Sequence, residues 1–595
     1  MIDRRQLLAT IAGTGVGTAV FHRALAGIVQ EQAEQKAAEV TSEMVKTAEW
    51  ISGTEFSDEE RNEIAKSVNR SANQWNALRE QKLQFEDVPA MHFQTLAGAP
   101  RERVSVQRAF DPIESSTAEL PDSEEGIAFL PVTELSSLIR HRKISSVELT
   151  KLYLKRLEKY NPLLNCVVTM TDELALKQAA KADKEIAAGN YRGPLHGIPW
   201  GAKDLIAVPG YPTTWGIPQF EEREFSYTAT VAKRLEDAGA VLVAKLSLGA
   251  IAMGDKWFRG MTRSPWNYKL GSSGSSAGSA SATVAGLVGF SLGTETLGSI
   301  VSPSRRCGAT GLRPTFGRVS RAGCMPLSWS MDKVGPITRS VEDCALVFAA
   351  IHGHDGQDPT VHTWPFQWPP AMDFSGVKVG YTKRTRRRRR NSDDEAAQEA
   401  PPREDLAILE KLGCELVEVE LPEEQVQWVL ANTIDVEAAS VFDEMLRAGT
   451  TEGWNTWSAT FREAQFISAL DYFRIQRRRR QLQVKFEELI GGVDFLINCN
   501  DLLITNLTGH PSVVMPTGYA EANGRKVPQS ALITGQLNGD ERLLAFSLAY
   551  QHQVTAHLER PPLDELMTAK AEEEKEAAEK EAKEEAESAG EKDKG

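Results

Sequence analysis

Residues 271–299 constrain this chain more than any other stretch. They run Gly-Ser-Ser-Gly-Ser275-Ser-Ala-Gly-Ser-Ala-Ser-Ala-Thr-Val-Ala-Gly-Leu-Val-Gly-Phe-Ser-Leu-Gly-Thr-Glu295-Thr-Leu-Gly-Ser299, two Gly/Ser-rich ends around an apolar middle. A flexible linker stays polar throughout, so Val284, Leu287, Val288, Phe290 and Leu292 exclude one. Gly274-Ser-Ser276-Ala-Gly278 matches the G-x-S-x-G nucleophile elbow, but that turn needs an apolar strand directly ahead of it. What precedes it is Arg263-Ser-Pro-Trp-Asn-Tyr-Lys-Leu-Gly271, polar and broken by proline. Ser330-Met-Asp-Lys333 matches S-x-x-K, yet neither S-D-N nor K-T-G occurs in the chain, so a β-lactamase-like reading lacks its partners.

The surrounding pattern is helix followed by strand, repeated, which is the mark of an α/β fold. Thr133 to Tyr160 carries helical periodicity through Leu149, Leu152, Leu154 and Leu157. Gly197-Ile-Pro-Trp-Gly-Ala-Lys203-Asp204 is a turn-rich entry into a short buried segment. Thr228 to Gly239 reads as a helix closed by its glycine, and Val241 to Lys245 as a buried strand. Leu406 to Leu421 repeats the helix–strand order.

The remaining segments read as accessories. Arg4-Arg5, a moderately apolar stretch to Phe21 and Ala24-Leu-Ala26 make residues 1–26 a twin-arginine-type signal peptide. The expected location is periplasmic or extracellular, or membrane-anchored if the signal is uncleaved. Residues 27–125 are expected to be a helical extension, with Ser57 and Glu60 spaced as a capping box and Ile64 and Val68 on one face. The arginine-dense run from Lys383 to Arg390 and the acidic stretch to Pro402 read as a solvated insertion. Residues 563–595 read as a charged, disordered tail; within it, 570–595 carry 11 acids against 6 lysines, −5 of the net −14. An acidic chain is a poor match for phosphate backbones, so no nucleic-acid partner is expected. The six cysteines show neither C-x-x-C nor zinc-finger spacing, and buried small hydrophobes are the expected role.

The Gly/Ser segment resembles the hallmark of the amidase signature family. Its two halves here are Ser273-Gly-Ser275-Ser-Ala-Gly-Ser279 and Gly293-Thr-Glu-Thr-Leu-Gly-Ser299-Ile-Val301, and Ser275 and Ser299 are 24 positions apart, the family's spacing. Gly193 to Asp204 is similar to the family's lysine block, and Cys307-Gly-Ala-Thr-Gly-Leu-Arg-Pro-Thr315 to the block that follows the serines. Thr505 to Pro511 and Thr534-Gly-Gln-Leu537 look like its C-terminal blocks. The resemblance implies a single large α/β/α domain around a mixed sheet over residues 126–562. It also implies a Ser–cis-Ser–Lys triad of Ser299, Ser275 and Lys203, and an oxyanion hole from the backbone of Thr296, Leu297 and Gly298.

Each implied role has a chemical reason. Ser299 attacks an amide carbonyl to give an acyl-enzyme and needs somewhere to send its proton. Lys203 takes that proton only if burial, suggested by its neighbours Ile198, Pro199, Trp200 and Ile206, makes it neutral. Ser275 relays between the two. The expected reaction is hydrolysis of a small carboxylic amide without metal or cofactor. Glu295, Leu297 and Val301 depart from the family's Asp, Gly and Arg, with Arg305 or Arg306 as candidate replacements for the lost charge. Two alternatives differ in class: the A-type glutaminase subunit of a tRNA-dependent amidotransferase, and a non-catalytic binding protein on the same fold.

Overall fold

The computed structural model describes residues 39–52, 54–80, 118–370, 373–383, 403–422, 427–499, 501–522 and 525–592. Residues 1–26, expected to be a signal peptide, and the expected insertion after Lys383 lie outside them. The chain divides into two compact units, Met1–Ala77 and Leu78–Gly595.

Helix α1 (Ser42–Ser52) lies in the first unit and is followed by α2 (Asp58–Glu80), most of which belongs to it. The expected capping box opens α2: the Ser57 N–H donates to Glu60 Oε2 at 2.8 Å and the Glu60 N–H to Ser57 Oγ at 3.3 Å. Arg61 then reaches back to Glu49 at 2.7 Å, closing the pair, and Ile64 is buried.

The second unit is built on one eleven-stranded mixed sheet. Its strands, in chain order, are β1 (Val167–Met170), β2 (Pro199–Lys203), β3 (Val241–Leu246), β4 (Phe290–Glu295), β5 (Thr310–Arg313), β6 (Lys333–Thr338), β7 (Lys378–Tyr381), β8 (Glu415–Glu418), β9 (Phe495–Ile497), β10 (Ser512–Ala522) and β11 (Arg525–Gly535). Across the sheet they lie in the order β1-β3-β2-β4-β6-β5-β10-β11-β9-β7-β8. β2 runs parallel to both β3 and β4, whereas β4 and β6 are antiparallel with Lys333 opposite Glu295. β2, β3 and β6 are buried at every residue, as strands covered on both faces must be.

The periodic run over 133–160 becomes two helices, Val132–Arg140 and α3 (Ser146–Leu164). The break has a local cause. Ser145 and Glu148 form a reciprocal capping box that starts a new helix, and Arg142 takes a left-handed φ of 56°. The expected helix before Gly239 spans Thr230–Asp237, and Gly239 has φ +83°.

The C-terminal segment differs from the expected disordered tail. Leu563–Lys592 is a helix, α6 in chain order after α4 (Ala277–Val284) and α5 (Val301–Cys307). Leu563 and Leu566 are buried in the same cluster as Leu157, Leu163 and Val288. Lys159 pairs with Asp564 at 2.7 Å and Lys269 with Glu573 at 2.6 Å. The apolar residues that anchor α6 all fall in its first two turns, so averaging over a Glu/Lys-rich stretch hides them. Among the described residues no helix is long and apolar enough to cross a membrane.

Candidate active site

Lys203 ends β2, and its side chain is fully enclosed. Its Nζ donates to the hydroxyls of Ser275 and Thr294, each at 2.8 Å, to that of Ser276 at 3.1 Å and to the Thr294 carbonyl at 3.3 Å. Burial pushes the amine down to about 7, against the opposing pull of Asp332 and Glu295. Three of its four partners are hydroxyls, which can donate as well as accept. The same cage therefore holds an ammonium or a neutral amine, with one hydroxyl turned to donate to the lone pair.

The two adjacent serines are not equivalent. Ser276 is locked, because its hydroxyl donates to the Thr294 carbonyl and accepts from the Thr294 N–H, both at 3.1 Å. Among the described residues the Ser275 hydroxyl has only the Lys203 bond, which leaves it able to relay a proton. The Gly274–Ser275 peptide is cis. Glycine is required just before it, since a Cβ on Gly274 would lie 1.8 Å from the Gly254 carbonyl oxygen.

Ser299 lies two residues before α5 and is 8% exposed. The Ser276 N–H donates to its carbonyl at 3.1 Å, tying the two serine segments together. Gly298 turns the chain with φ +82°, while Leu297 stays outside the left-handed region. Leucine in place of glycine at 297 therefore imposes no backbone strain. Among the described residues the N–H groups of Leu297, Gly298 and Ser299 donate to no protein acceptor. The Thr296 hydroxyl donates to Asp332 at 2.6 Å.

Glu295 shapes this turn. One carboxylate oxygen accepts from the N–H groups of Ile300 and Val301, at 2.8 and 2.9 Å. The other accepts from Arg313 at 3.0 Å and Asn506 at 2.8 Å. Burial alone raises a carboxyl, but the charges of Arg313 and Lys333 and the Val301 and Asn506 donors outweigh it and hold Glu295 at about 2. Val301 itself faces Val514, Leu532 and Leu502. The arginine that pairs with Glu295 is Arg313 on β5.

A cleft opens beside the cage, lined among others by Thr294, Thr296, Cys324, Leu327, Asp332 and Lys333. Of the residues named from sequence, Lys203 and Ser275 are hydrogen-bonded to each other, the Ser299 carbonyl is tied to the neighbouring Ser276, and Thr296 lines the cleft. Thr294, Ser276, Asp332, Arg313 and Asn506 were not named from sequence. Asp332 lies in the S-x-x-K segment set aside above: its Ser330 and Lys333 do not pair, but its aspartate holds the turn.

The family profile described as Amidase matches residues 148–499. The chain belongs to the amidase signature family. It is 30% identical over 491 residues to the glutamyl-tRNA(Gln) amidotransferase A-type subunit of Marinomonas sp. (strain MWYL1), covering 73% of this chain and 98% of that relative. It superposes on the peptide amidase of Stenotrophomonas maltophilia with a TM-score of 0.62 at 28% identity, covering 73% of this chain and 98% of that one. A bacterial aryl acylamidase, at 22% identity and a TM-score of 0.61 over 72% of this chain and 96% of its own, shares the fold. This amidase is therefore an amide-hydrolysing enzyme on the family's α/β fold.

Proposed function

We propose that the amidase hydrolyses a small carboxylic amide through an acyl-enzyme on Ser299. The Ser299 hydroxyl adds to the amide carbonyl while its proton passes through Ser275 to neutral Lys203. The amides of Thr296, Leu297, Gly298 and Ser299 receive the oxyanion; losing one such donor costs about 3–4 kcal/mol of transition-state stabilisation. Lys203 then returns the proton through Ser275 to the leaving nitrogen, the C–N bond breaks, and the amine departs. Water attacks the ester by the same route in reverse, releasing the acid and restoring Ser299. The observation that carries this reading is the fully buried Lys203 amine bonded to the one serine hydroxyl left able to relay.

A fluorophosphonate tests it directly. Stoichiometric labelling of Ser299 in the folded protein is expected, with none in Ser299→Ala; folded, unlabelled parent protein would point to a non-catalytic role. The relatives named as amidotransferase subunits favour a second reading, a glutaminase subunit working with a tRNA-handling partner. The twin-arginine signal weighs against it, and we propose export of the folded protein. A mature N-terminus near Gly27 on exported material is expected, and only intact Met1 protein in the cytosol would overturn this.

A further inference from the structure

Among the described residues three lysines are buried, Lys203, Lys245 and Lys333. Lys245 pairs with Asp204 at 2.7 Å, and Lys203 has its hydroxyl cage. Lys333 has neither arrangement: among the described residues its Nζ donates only to the carbonyl of Met331. It lines the same cleft as Thr294 and Thr296. Two carboxylates stand near it, but both are committed. Asp332 accepts from the Thr296 hydroxyl and from the N–H groups of Leu327 and Ser328. Glu295 spends its oxygens on Arg313, Asn506, Ile300 and Val301.

The cations around it are also satisfied without it. Arg313 is held by Glu295, Ser512 and the His510 carbonyl. Arg479 is held by Ser330 and the Leu507 carbonyl. Arg321, also on the cleft, is paired with Asp358 at 2.8 Å. A buried lysine that lines this cleft with no carboxylate hydrogen-bonded to its amine lacks the direct ion pair that such groups ordinarily have.

Resting on the amidase reading above, we infer that Lys333 is the cleft's anion-binding residue, and that the substrate is an amide carrying a carboxylate. Burial and the Arg313 charge hold the empty Lys333 amine well below its ordinary range, while Glu295 and Asp332 pull the other way. A carboxylate entering beside it supplies the missing counter-charge and favours the ammonium. Binding therefore takes up a proton, and affinity for the anion falls as pH rises.

Succinamate and butyramide are a matched pair, one with a terminal carboxylate and one without. The parent enzyme is expected to favour succinamate in kcat/KM by roughly 30-fold, as a charge-assisted contact implies. In Lys333→Met that ratio should collapse toward unity, mainly through KM for succinamate. A second measurement does not depend on that variant folding. Calorimetric titration of Ser299→Ala with succinamate, in buffers of different ionisation enthalpy, should register net proton uptake on binding. Labelling of Ser299 without discrimination between the two amides overturns the Lys333 assignment alone, as does succinamate binding without proton uptake. Unlabelled Ser299, with succinamate binding that takes up a proton and is lost in Lys333→Met, keeps the anion site and overturns the hydrolytic reading.

Discussion

Lys203→Ala is expected to lower kcat for amide hydrolysis by roughly three orders of magnitude, the range a positioned general base supplies. The fold should survive. The side chain removed is a desolvated amine with no carboxylate partner among the described residues, and its hydroxyl neighbours Ser276 and Thr294 keep their bonds to each other. Far-UV circular dichroism and gel filtration should therefore match the parent. The pH profile sharpens the test. Lys203 works only when neutral, and burial places its titration at about 7. Log kcat should climb with unit slope below that value and level off above it. Deprotonation activates, so the limb lies on the acidic side. In Lys203→Ala the limb should vanish along with the rate. Parent-like turnover in that variant would sink the base assignment, and a limb that levels off only near pH 10 would contradict the buried cage.

The residues that carry chemistry were readable because their constraints are local. Ser275 and Ser299 stand in short motifs whose glycines are required where they stand: Gly274 meets the Gly254 carbonyl at once if given a side chain, and Gly298 has a positive φ. The buried strand before Lys203 was visible in Ile198, Pro199 and Trp200 for the same reason. What could not be read was pairing over distance. Arg313 reaches Glu295 because β5 joins the sheet next to β6, two strands away from β4. Asn506 arrives from a helix 211 positions further along the chain than Glu295. No sequence feature near Glu295 marks Arg313 as its partner; the sheet order brings it there. Leu563 and Leu566 were missed because two anchoring leucines are a small signal within a long polar helix.

Glu295→Gln should have the largest effect on stability of any change near the site. The substitution preserves shape but leaves Arg313 buried without its counter-charge. Breaking a buried pair from one side typically costs about 3–5 kcal/mol, because the desolvation of the surviving ion is no longer offset. A fall of several degrees or more in thermal midpoint at pH 7 is expected. The effect depends on pH with a definite sign. The Glu295 carboxyl is held at about 2 in the folded protein against an ordinary 4.5. Its contribution is thus fully present above 4.5 and is lost as pH falls toward 2. The gap in midpoint between parent and variant should therefore narrow across that interval and stay constant above it. Activity should fall as well, because the same carboxylate fixes the Ile300 and Val301 N–H groups that end the oxyanion turn. A neutral amide oxygen is a weaker acceptor, and a turn displaced by a fraction of an ångström misaims the donors at Gly298 and Ser299. Because that loss acts on the transition state, kcat should drop by about 10- to 100-fold with KM little changed. Glu295→Asp, the family's usual residue, retains the charge but is one methylene shorter, and should sit between parent and glutamine in both stability and rate. Unchanged stability in Glu295→Gln would mean that Arg313 is adequately held by Ser512 and the His510 carbonyl alone.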